Sequence, residues 1–431
     1  DKLLALNWFH DQMLSKLEQA QVMFESAPFN EYVGPVEPEL LIITSGTGWY
    51  YSLEAIDKLD LTERVGVLKL GCTWPLPEQL VVKHLQQTKR VLVVEEVDPF
   101  LEQNVANIIA HHPDLNPELF GRYQHKALPY SFELSPDVVI NALASLLEVG
   151  YQAQVNGEVP AEAVVNIPPR DLTFCAGCPH RASFFMLKQT LRLRENAGVV
   201  MGDIGCYTLG GNRAGHFLLQ SLGCMGAGIN MGEGLGQLTR FGFEHPVLAV
   251  AGDSTFFHSC LPGLVNARYH NADMLFVVLD NSATAMTGFQ PHPGIEINCM
   301  GDRAQTVSIE KVVEAIGCPV YVADPYQIEE TTRLVYDLTK KPGMKVLILR
   351  QPCATLAVRQ QGRRKVSVDS ELCRGDDCGC GRFCSKTWGC PGNIWDETAG
   401  KARIDEVVCI GCGVCASLCP AGAIKVEGGA C

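Results

Sequence analysis

Three continuous apolar runs organise the first 150 residues of the chain. They are "LLIITSG", "VGVLKLG" and "RVLVVEEV", and segments with helical character separate them. Strands covered on both faces have continuous rather than alternating apolar sequences, so these runs predict buried strands of a parallel α/β sheet. Residues 1–35 predict a helix followed by a loop, and residues 1–150 form the first predicted domain.

A second series of apolar runs predicts a second sheet of the same kind. The runs are "GVVMGDIG", "PVLAVAGD", "MLFVVLDN", "CPVYVAD" and "KVLILRQ", with helical segments between them. They predict a doubly wound α/β domain over residues 160–360, and "YQAQVNGEVPAEAVVNIPPRD" before it predicts a linker. Ligands of such sheets bind at the carboxyl ends of the strands. Two of these ends carry "GDS" and "DNS", which makes them the first candidates for a site.

Composition and charge exclude several classes of protein. The chain is 47% hydrophobic and 19% charged, which is typical of a globular protein. A formal net charge of −13 argues against a nucleic-acid partner. No apolar run approaches the roughly 20 residues of a membrane span. The N-terminus has no signal-peptide layout and does not begin with Met, so we expect a cytoplasmic protein that is cleaved or part of a longer polypeptide.

The cysteines are concentrated at the C-terminal end. Ten of the 19 cysteines lie after residue 372. A secreted protein would use them for disulfides, whereas a chain with no signal peptide favours metal or cluster ligation in a reducing cytoplasm. Residues 365–431 are also too few to build an apolar core, so this third predicted domain would need clusters as staples.

The two polar strand ends predict a cation site. Asp253 follows one predicted strand and Asn281 follows the next, so a carboxylate and an amide oxygen would meet at one sheet edge. Mg²⁺ prefers such hard oxygen ligands, and the carbonyl of Ala283 would add a third. Gly252 would let the backbone approach a phosphate, and the helix that starts near Ser254 would offer its N–H groups.

This pattern resembles the thiamine diphosphate motif, a G-D-[GS] followed at this distance by Asn. The longer stretches "GDSTFFHS", "LPGLVNA", "DNSATAMTG" and "QPHPG" resemble the large subunit of indolepyruvate ferredoxin oxidoreductase. The resemblance implies bound thiamine diphosphate and Mg²⁺, with Met225 and Gly226 of "LGCMGAG" beside the cofactor. His258 and His180 are the candidate catalytic residues, and His292 and Arg181 are further candidates for proton or carboxylate binding. The alternatives are structural roles for these side chains and two buried turns with no ligand.

The resemblance also interprets "FCAGCPHR". It implies a 4Fe–4S cluster next to the thiamine, held by Cys175, Cys178, Cys206 and Cys353. The same four thiols would also suit zinc, which the sequence leaves open. The C-terminal Cys431 and the remaining cysteines outside the tail are interpreted as core or surface thiols. Those outside the tail are Cys72, Cys224, Cys260, Cys299 and Cys318.

The tail contains "CIGCGVCASLCP", the bacterial ferredoxin run C-x₂-C-x₂-C-x₃-C-P. In that pattern the fourth cysteine serves the other cluster of a pair, so Cys390 would complete the cluster of Cys409, Cys412 and Cys415. Cys419 would join a second cluster from "CRGDDCGCGRFC", whose spacing departs from the pattern. This segment contains four cysteines, whereas the second cluster needs only three ligands besides Cys419. We expect Cys380 and Cys384 together with either Cys373 or Cys378.

These features predict two doubly wound parallel-sheet domains followed by a small ferredoxin domain. "GCTWPLPEQL" and "VLVVEEVDPFLEQ" resemble the family's non-catalytic, transketolase C-terminal-like domain. The activity implied is oxidative decarboxylation of an aryl 2-oxoacid with coenzyme A, with electrons passing through three 4Fe–4S clusters to ferredoxin. The alternatives are an aliphatic 2-oxoacid such as pyruvate, or an electron-transfer subunit without thiamine.

The resemblance also implies partners. The Glu that activates thiamine belongs to a pyrimidine-binding domain, which residues 1–35 are too short to contain. We therefore expect that domain or chain, a small (beta/gamma-type) subunit and an oligomer of heterodimers, and no turnover by this chain alone.

Overall fold

A computed structural model describes residues 2–131, 133–151 and 172–427. The chain divides into two compact units, Asp1–Ile167 and Pro168–Cys431. The predicted linker lies almost entirely outside the described residues, as does Cys431. The predicted division into three domains stays a prediction.

The first unit is built on a five-stranded sheet. Its strand order is β1-β3-β2-β4-β5, with β1 antiparallel to β3 and every other pair parallel. The three apolar runs form β2, β3 and β4, as the sequence predicted, whereas the short edge strands β1 and β5 were not predicted. The strand bounds are β1 Glu31–Val33, β2 Leu40–Thr44, β3 Val65–Lys69, β4 Arg90–Val94 and β5 Glu118–Phe120.

Helices cover both faces of this sheet. Leu40 and Ile42 of β2 pack into one apolar cluster, whereas Leu41 and Ile43 pack into another. Successive side chains of a strand point to opposite faces, so a continuous apolar run is what two covered faces require. The helices of the unit are Lys2–Phe24, Thr47–Lys58, Glu78–Leu85, Phe100–His111 and Pro136–Leu146.

The second unit contains a five-stranded sheet that is parallel throughout, in the order β6-β7-β8-β10-β9. Two apolar clusters, one on each face, bury its strands. The bounds are β6 Val199–Met201, β7 Val247–Gly252, β8 Met274–Asp280, β9 Val320–Ala323 and β10 Met344–Arg350. Each strand coincides with one of the five predicted runs, so the predicted doubly wound α/β fold is confirmed.

The helices of the second unit follow the crossover pattern of a parallel sheet. A π-helical turn, Phe256–Cys260, interrupts the helix that starts directly after β7. The α-helices are Pro179–Leu193, Ala227–Gln237, Asp253–Thr255, Leu261–Tyr269, Ile309–Ile316, Ile328–Leu338 and Ala354–Gln361. Shorter 3₁₀ turns span Cys206–Gly211, Arg213–Gly215, Leu238–Phe241 and Gly375–Cys378.

Strand register brings the polar strand ends to one edge of the second sheet. Gly252 of β7 is paired with Leu279 of β8, and Asp280 of β8 is paired with Arg350 of β10. The residues that follow these three strands therefore leave the sheet side by side, as expected for the carboxyl ends of parallel strands.

The C-terminal segment, residues 365–427, forms two small antiparallel strand pairs, β11 with β14 and β12 with β13. Its apolar core is shared, because Trp388 and Val414 pack in one cluster with Ala182 and Phe185 of the helix Pro179–Leu193. The sequence predicted clusters as the staples of this segment and missed the borrowed core. The bounds are β11 Val366–Val368, β12 Asn393–Asp396, β13 Lys401–Ile404 and β14 Ile424–Val426, with helices Phe383–Lys386 and Val414–Leu418.

Within the described residues, no helix combines the length and the apolar character needed to cross a membrane.

Candidate active site and thiol sets

A cleft opens at the carboxyl ends of β7 and β8. It encloses about 550 Å³ of empty space, counting its open mouth. The lining residues include His180, Cys206, Tyr207, Met225, Gly252, Asp253, Ser254, His258, Asn281 and Ala283. The predicted cation, cofactor and catalytic residues therefore meet in one place, except for Gly226, and the further candidates His292 and Arg181 do not line the cleft either.

Asp253 is the most constrained side chain of the cleft. It is 2% exposed, and its Oδ1 accepts the Ser254 N–H at 2.8 Å. Its Oδ2 accepts the Asn281 N–H at 3.1 Å, which joins the two strand ends directly. These bonds hold the carboxylate in one orientation at the start of a helix, where the N–H groups favour negative charge.

His292 approaches the same carboxylate from the loop after β8. Its Nδ1 accepts the Gly294 N–H at 3.1 Å, so the ring proton is carried by Nε2. Nε2 lies 3.2 Å from Asp253 Oδ2, although the N–H direction is too oblique for a well-formed hydrogen bond. The contact therefore packs a buried N–H against the carboxylate and does not complete a directed bond.

Asn281 faces both the cation position and His180. Its Oδ1 accepts the Ala283 N–H at 3.2 Å, and its Nδ2 lies 3.3 Å from His180 Nε2. Burial lowers the pKa of His180 to about 4, against the opposing effect of Asp253, so the ring is neutral at pH 7. A neutral Nε2 accepts the amide N–H and thereby turns the amide oxygen of Asn281 away from His180.

The oxygen donors fit a hard cation. Asp253 Oδ1 and Asn281 Oδ1 each accept a single backbone N–H, which leaves one lone pair on each oxygen. Carboxylate, amide and backbone oxygens are the ligands that Mg²⁺ takes in proteins. The residues present at this edge therefore fit Mg²⁺ and the diphosphate that it would bridge.

The structure adds details at two predicted cofactor contacts. A Cβ on Gly252 would lie 2.7 Å from the Tyr207 ring, so this glycine also makes room for an aromatic side chain. Met225 lines the cleft and is 41% exposed. His258 is exposed at the mouth, with its Nδ1 2.7 Å from Ser259 Oγ.

The first thiol set lies against the same wall. Cys175 and Cys206 both act electrostatically on Cys178, and Cys175 and Cys353 act on Cys206, so the four thiols form one group. The Cys353 N–H donates to the Asn281 carbonyl oxygen at 2.8 Å, which connects this set to the cation position. Burial raises the pKa of Cys178 to about 12.

Among the described residues, no group of three or more His, Cys, Asp or Glu side chains is arranged to hold a single metal ion. The choice between a cluster and zinc at the first thiol set stays a prediction.

The tail thiols form two further sets. Cys412, Cys390 and Cys409 all act on Cys415, whose pKa burial raises to about 12. In the other set Cys380 and Cys373 act on Cys384. The cavity lined by Cys380 and Cys384 is also lined by Cys415 and Cys419, so the exchange of the fourth ligand stays a prediction.

Comparison with protein families assigns three parts of the chain. Residues 203–348 match the C-terminal thiamine pyrophosphate-binding domain of thiamine pyrophosphate enzymes. Residues 32–142 match the transketolase C-terminal domain, and residues 402–425 match a 4Fe-4S binding domain. The irregular cysteine group, residues 373–384, lies outside the last match.

Curated relatives cover nearly the whole chain. The chain is 35% identical over 416 residues to indolepyruvate oxidoreductase subunit IorA of Archaeoglobus fulgidus, covering 96% of this chain and 64% of that protein. It is 34% identical over 442 residues to the IorA subunit of Pyrococcus horikoshii, covering 96% of this chain and 65% of that one. Over nearly its whole length the chain is thus similar to indolepyruvate oxidoreductase IorA subunits. It spans slightly under two thirds of the length of these relatives.

Solved structures add little to these similarities. A 2-oxoglutarate:ferredoxin oxidoreductase from Magnetococcus marinus aligns with a TM-score of 0.37 at 16% identity, covering 44% of this chain and 66% of that chain. A likeness of this size carries no argument about the site.

Sequence reasoning missed Asp203, which organises the far wall of the cleft. This carboxylate follows β6, has no exposed surface, and accepts the N–H groups of Ile204 and Gly226 at 2.7 Å each. Burial raises its pKa above the usual range. Gly226 has φ of 89°, and a Cβ there would lie 2.8 Å from Ser259, so Asp203 and a glycine together fix the turn beside Met225. The "GD" after the first strand of the second series was the available signal.

Asp280 was also missed, and it has a structural role. Its Oδ2 accepts the Arg350 Nε–H at 2.7 Å, and Arg350 also donates to Glu310 at 2.6 Å. Burial nevertheless raises the pKa of Asp280, whereas Arg350 lowers the pKa of Glu310 to about 2. Asp253 at the end of β7 therefore lines the cleft, whereas Asp280 at the end of β8 does not.

Proposed function

We propose that this chain carries the diphosphate-binding and electron-transfer parts of a thiamine diphosphate-dependent 2-oxoacid oxidoreductase. The observation that carries the proposal is the hydrogen bond from Cys353 N–H to the Asn281 carbonyl, at 2.8 Å, beside Asp253. A cation site and a four-thiol set thereby share one wall. Oxidation of a 2-oxoacid requires both, because the electrons released at the cofactor need a nearby acceptor.

Asp253, Asn281 and the carbonyl of Ala283 are the proposed Mg²⁺ ligands. Thiamine diphosphate, when bound, supplies the electron sink for loss of CO₂ from a 2-oxoacid. The chain supplies the fixed oxygen donors for the cation and the helix start for the diphosphate. The remaining proposed cofactor contacts are Gly252, Ser254, Gly226 and Met225.

The two candidate catalytic histidines receive different roles. His258 is exposed at the cleft mouth and can exchange protons with bound substrate, so it is the proposed acid–base residue. His180 is buried and neutral and contacts Asn281, so it is a positioning residue rather than a catalytic one.

Three 4Fe–4S clusters are proposed. The irregular set takes Cys373 rather than Cys378, because Cys373 acts on Cys384 and Cys378 lies in a separate turn, Gly375–Cys378. The proposed ligand sets are Cys175, Cys178, Cys206 and Cys353; Cys390, Cys409, Cys412 and Cys415; and Cys373, Cys380, Cys384 and Cys419.

The proposed substrate is an aryl 2-oxoacid, because the relatives are named indolepyruvate oxidoreductase subunits. One 2-oxoacid anion and one coenzyme A thiol give one acyl-CoA, one CO₂, one proton and two electrons, which pass singly to ferredoxin. A partner subunit, a pyrimidine-binding domain, an oligomer of heterodimers and a cytoplasmic location are parts of the same proposal.

Iron, acid-labile sulfide and bound thiamine diphosphate, measured on the anaerobically purified chain, test this function. We expect about twelve irons per chain, since each cluster holds four, and one thiamine diphosphate in the presence of Mg²⁺. Clusters without thiamine binding would favour an electron-transfer subunit, whereas the absence of iron would overturn the proposal. Substrate class is decided by bleaching of the visible cluster absorbance with indolepyruvate and coenzyme A, compared with pyruvate, in the complex with the partner subunit.

The matched variants Cys373→Ser and Cys378→Ser test the irregular set. We expect about four irons fewer in the first and an unchanged content in the second. The opposite result would assign Cys378 as the ligand.

A further inference from the structure

Arg181 is a buried cation between the first thiol set and the set of Cys390, Cys409, Cys412 and Cys415. It is 2% exposed. One terminal nitrogen donates to the carbonyl oxygens of Trp388 at 3.0 Å and Gly389 at 2.7 Å. The other donates to Thr173 Oγ1 at 3.1 Å and to the Phe174 carbonyl at 2.5 Å. The guanidinium thus binds the residues that directly precede Cys390 and those that directly precede Cys175.

Within the described part of the chain, none of the ion pairs includes Arg181, and its Nε–H has no hydrogen-bond partner. Burial lowers the pKa of Arg181, and four thiols oppose this effect, in the order Cys390, Cys178, Cys175 and Cys412. A buried charge is costly unless an opposite charge compensates it. These thiols belong to two different sets, and as cluster-bound thiolates they would compensate the charge of Arg181.

The two sets are also in direct contact. Gly177, inside the first C-x-x-C, has φ of 67°, and a Cβ there would overlap Ile410 and lie 3.3 Å from Cys412 Cβ. The Tyr326 hydroxyl donates to the Gly177 carbonyl at 2.5 Å and holds this turn in place. The absence of a side chain at Gly177 therefore lets the two thiol-bearing loops pack closely together.

We propose that Arg181 is the shared counter-cation of these two clusters and raises the reduction potentials of both. The inference rests on the proposed function, because it requires clusters at both thiol sets. Each cluster gains one electron and no proton on reduction, so its negative charge increases by one. A fixed positive charge stabilises the more negative state, and at this position it acts on donor and acceptor together.

The planar guanidinium explains why arginine suits this position. It stays charged when buried and presents a fork of donors that holds two pairs of acceptors at once. Lysine would keep the charge but bind fewer of the four acceptors. Substitution of Arg181 by methionine therefore removes both the charge and the donors, whereas substitution by lysine keeps the charge.

Potentiometric titration of the full chain with dithionite, followed by electron paramagnetic resonance, tests the proposal. For Arg181→Met we expect at least a tenfold loss in the reduced-to-oxidised ratio of both clusters at fixed potential, which is about 59 mV for one electron. Arg181→Lys should stay closer to the wild type. Arg192→Met is the matched control, because Arg192 is exposed on the same helix, and it should leave both potentials unchanged.

Iron content separates the outcomes. Full iron in Arg181→Met with unchanged potentials, or a shift in one cluster alone, would overturn the inference. If Arg181→Met loses iron, Arg181→Lys decides: full iron with near wild-type potentials supports the counter-cation role, whereas loss of iron in both variants assigns Arg181 to folding and overturns it. Wild-type chain without iron would instead contradict the proposed function.

Discussion

The two five-stranded sheets of this chain are both buried between helices, but the acidic residues that follow their strands make different contacts. In the first unit, Glu95 follows β4, and its carboxylate accepts the N–H groups of Leu101 at 2.6 Å and Glu102 at 2.8 Å. In the second unit, Asp253 follows β7 and joins the next strand end, Asn281. Glu95 caps the helix that follows its own strand, whereas Asp253 joins two strand ends at the wall of a cleft.

Glu102 extends the same contrast. Its carboxylate accepts the N–H groups of Arg122, Tyr123 and Gln124, the last two at 3.1 and 2.5 Å. Each oxygen of Glu102 thus accepts two backbone N–H groups, whereas each oxygen of Asp253 accepts one. Because both sheets share an architecture, the difference shows that a site depends on which acceptors the backbone leaves free.

The comparison predicts its largest effect for the cation ligands. Asp253→Ala or Asn281→Ala should weaken Mg²⁺-dependent thiamine diphosphate binding by about 1000-fold or more, since losing even an outer partner of a metal ligand costs about 10–100-fold. Titration calorimetry measures this change. Glu95→Gln, at a strand end of the first unit, is the matched control and should bind normally. Equal weakening in the control would remove the distinction between the two sheets.

A smaller effect is expected from Glu102→Ala. Three backbone N–H groups would lose their acceptor, which should lower the free energy of unfolding of the first unit by about 3 kcal/mol. Hydrogen exchange of the amides in residues 100–124 measures the loss, and thiamine diphosphate affinity should not change. Glu54→Ala, at an exposed position of another helix in the unit, should have little effect. Unchanged exchange in Glu102→Ala would show that its carboxylate is dispensable.

The smallest effect concerns pH and His84. This ring is 6% exposed and stacks on Tyr32 at 4.3 Å, and burial lowers its pKa below the usual 6.5. The unfolded chain then binds a proton that the folded unit does not. The stabilising contribution is therefore present above pH 6.5 and is lost as pH falls through 6.5 towards the lower folded value.

Denaturant unfolding of the first unit between pH 5 and pH 8 checks this sign. His84→Phe should flatten the decline on the acid side, and His111→Gln, on an exposed ring, should keep it. A decline that persists in His84→Phe would assign the pH dependence to other groups.

Much of the fold and part of the site could be predicted from the sequence. Continuous apolar runs identify strands buried on both faces, and Asp253 and Asn281 stand out because polar residues directly follow such runs. The short edge strands β1 and β5 have only three residues each, which is too short for a hydrophobic period to show. The role of Asp203 was not predicted, because it depends on N–H groups more than twenty positions away in the sequence.

The sequence by itself determined the two α/β layers, the polar strand ends and the pool of cysteines, because local periodicity and spacing carry that information. Tertiary structure alone decided how these parts are used. It placed Tyr207 against Gly252 and brought thiols from two loops close to Arg181. It also packed the apolar side chains of the C-terminal segment against the helix Pro179–Leu193. The physical reason is that packing and charge compensation depend on groups distant in sequence, which no local pattern records.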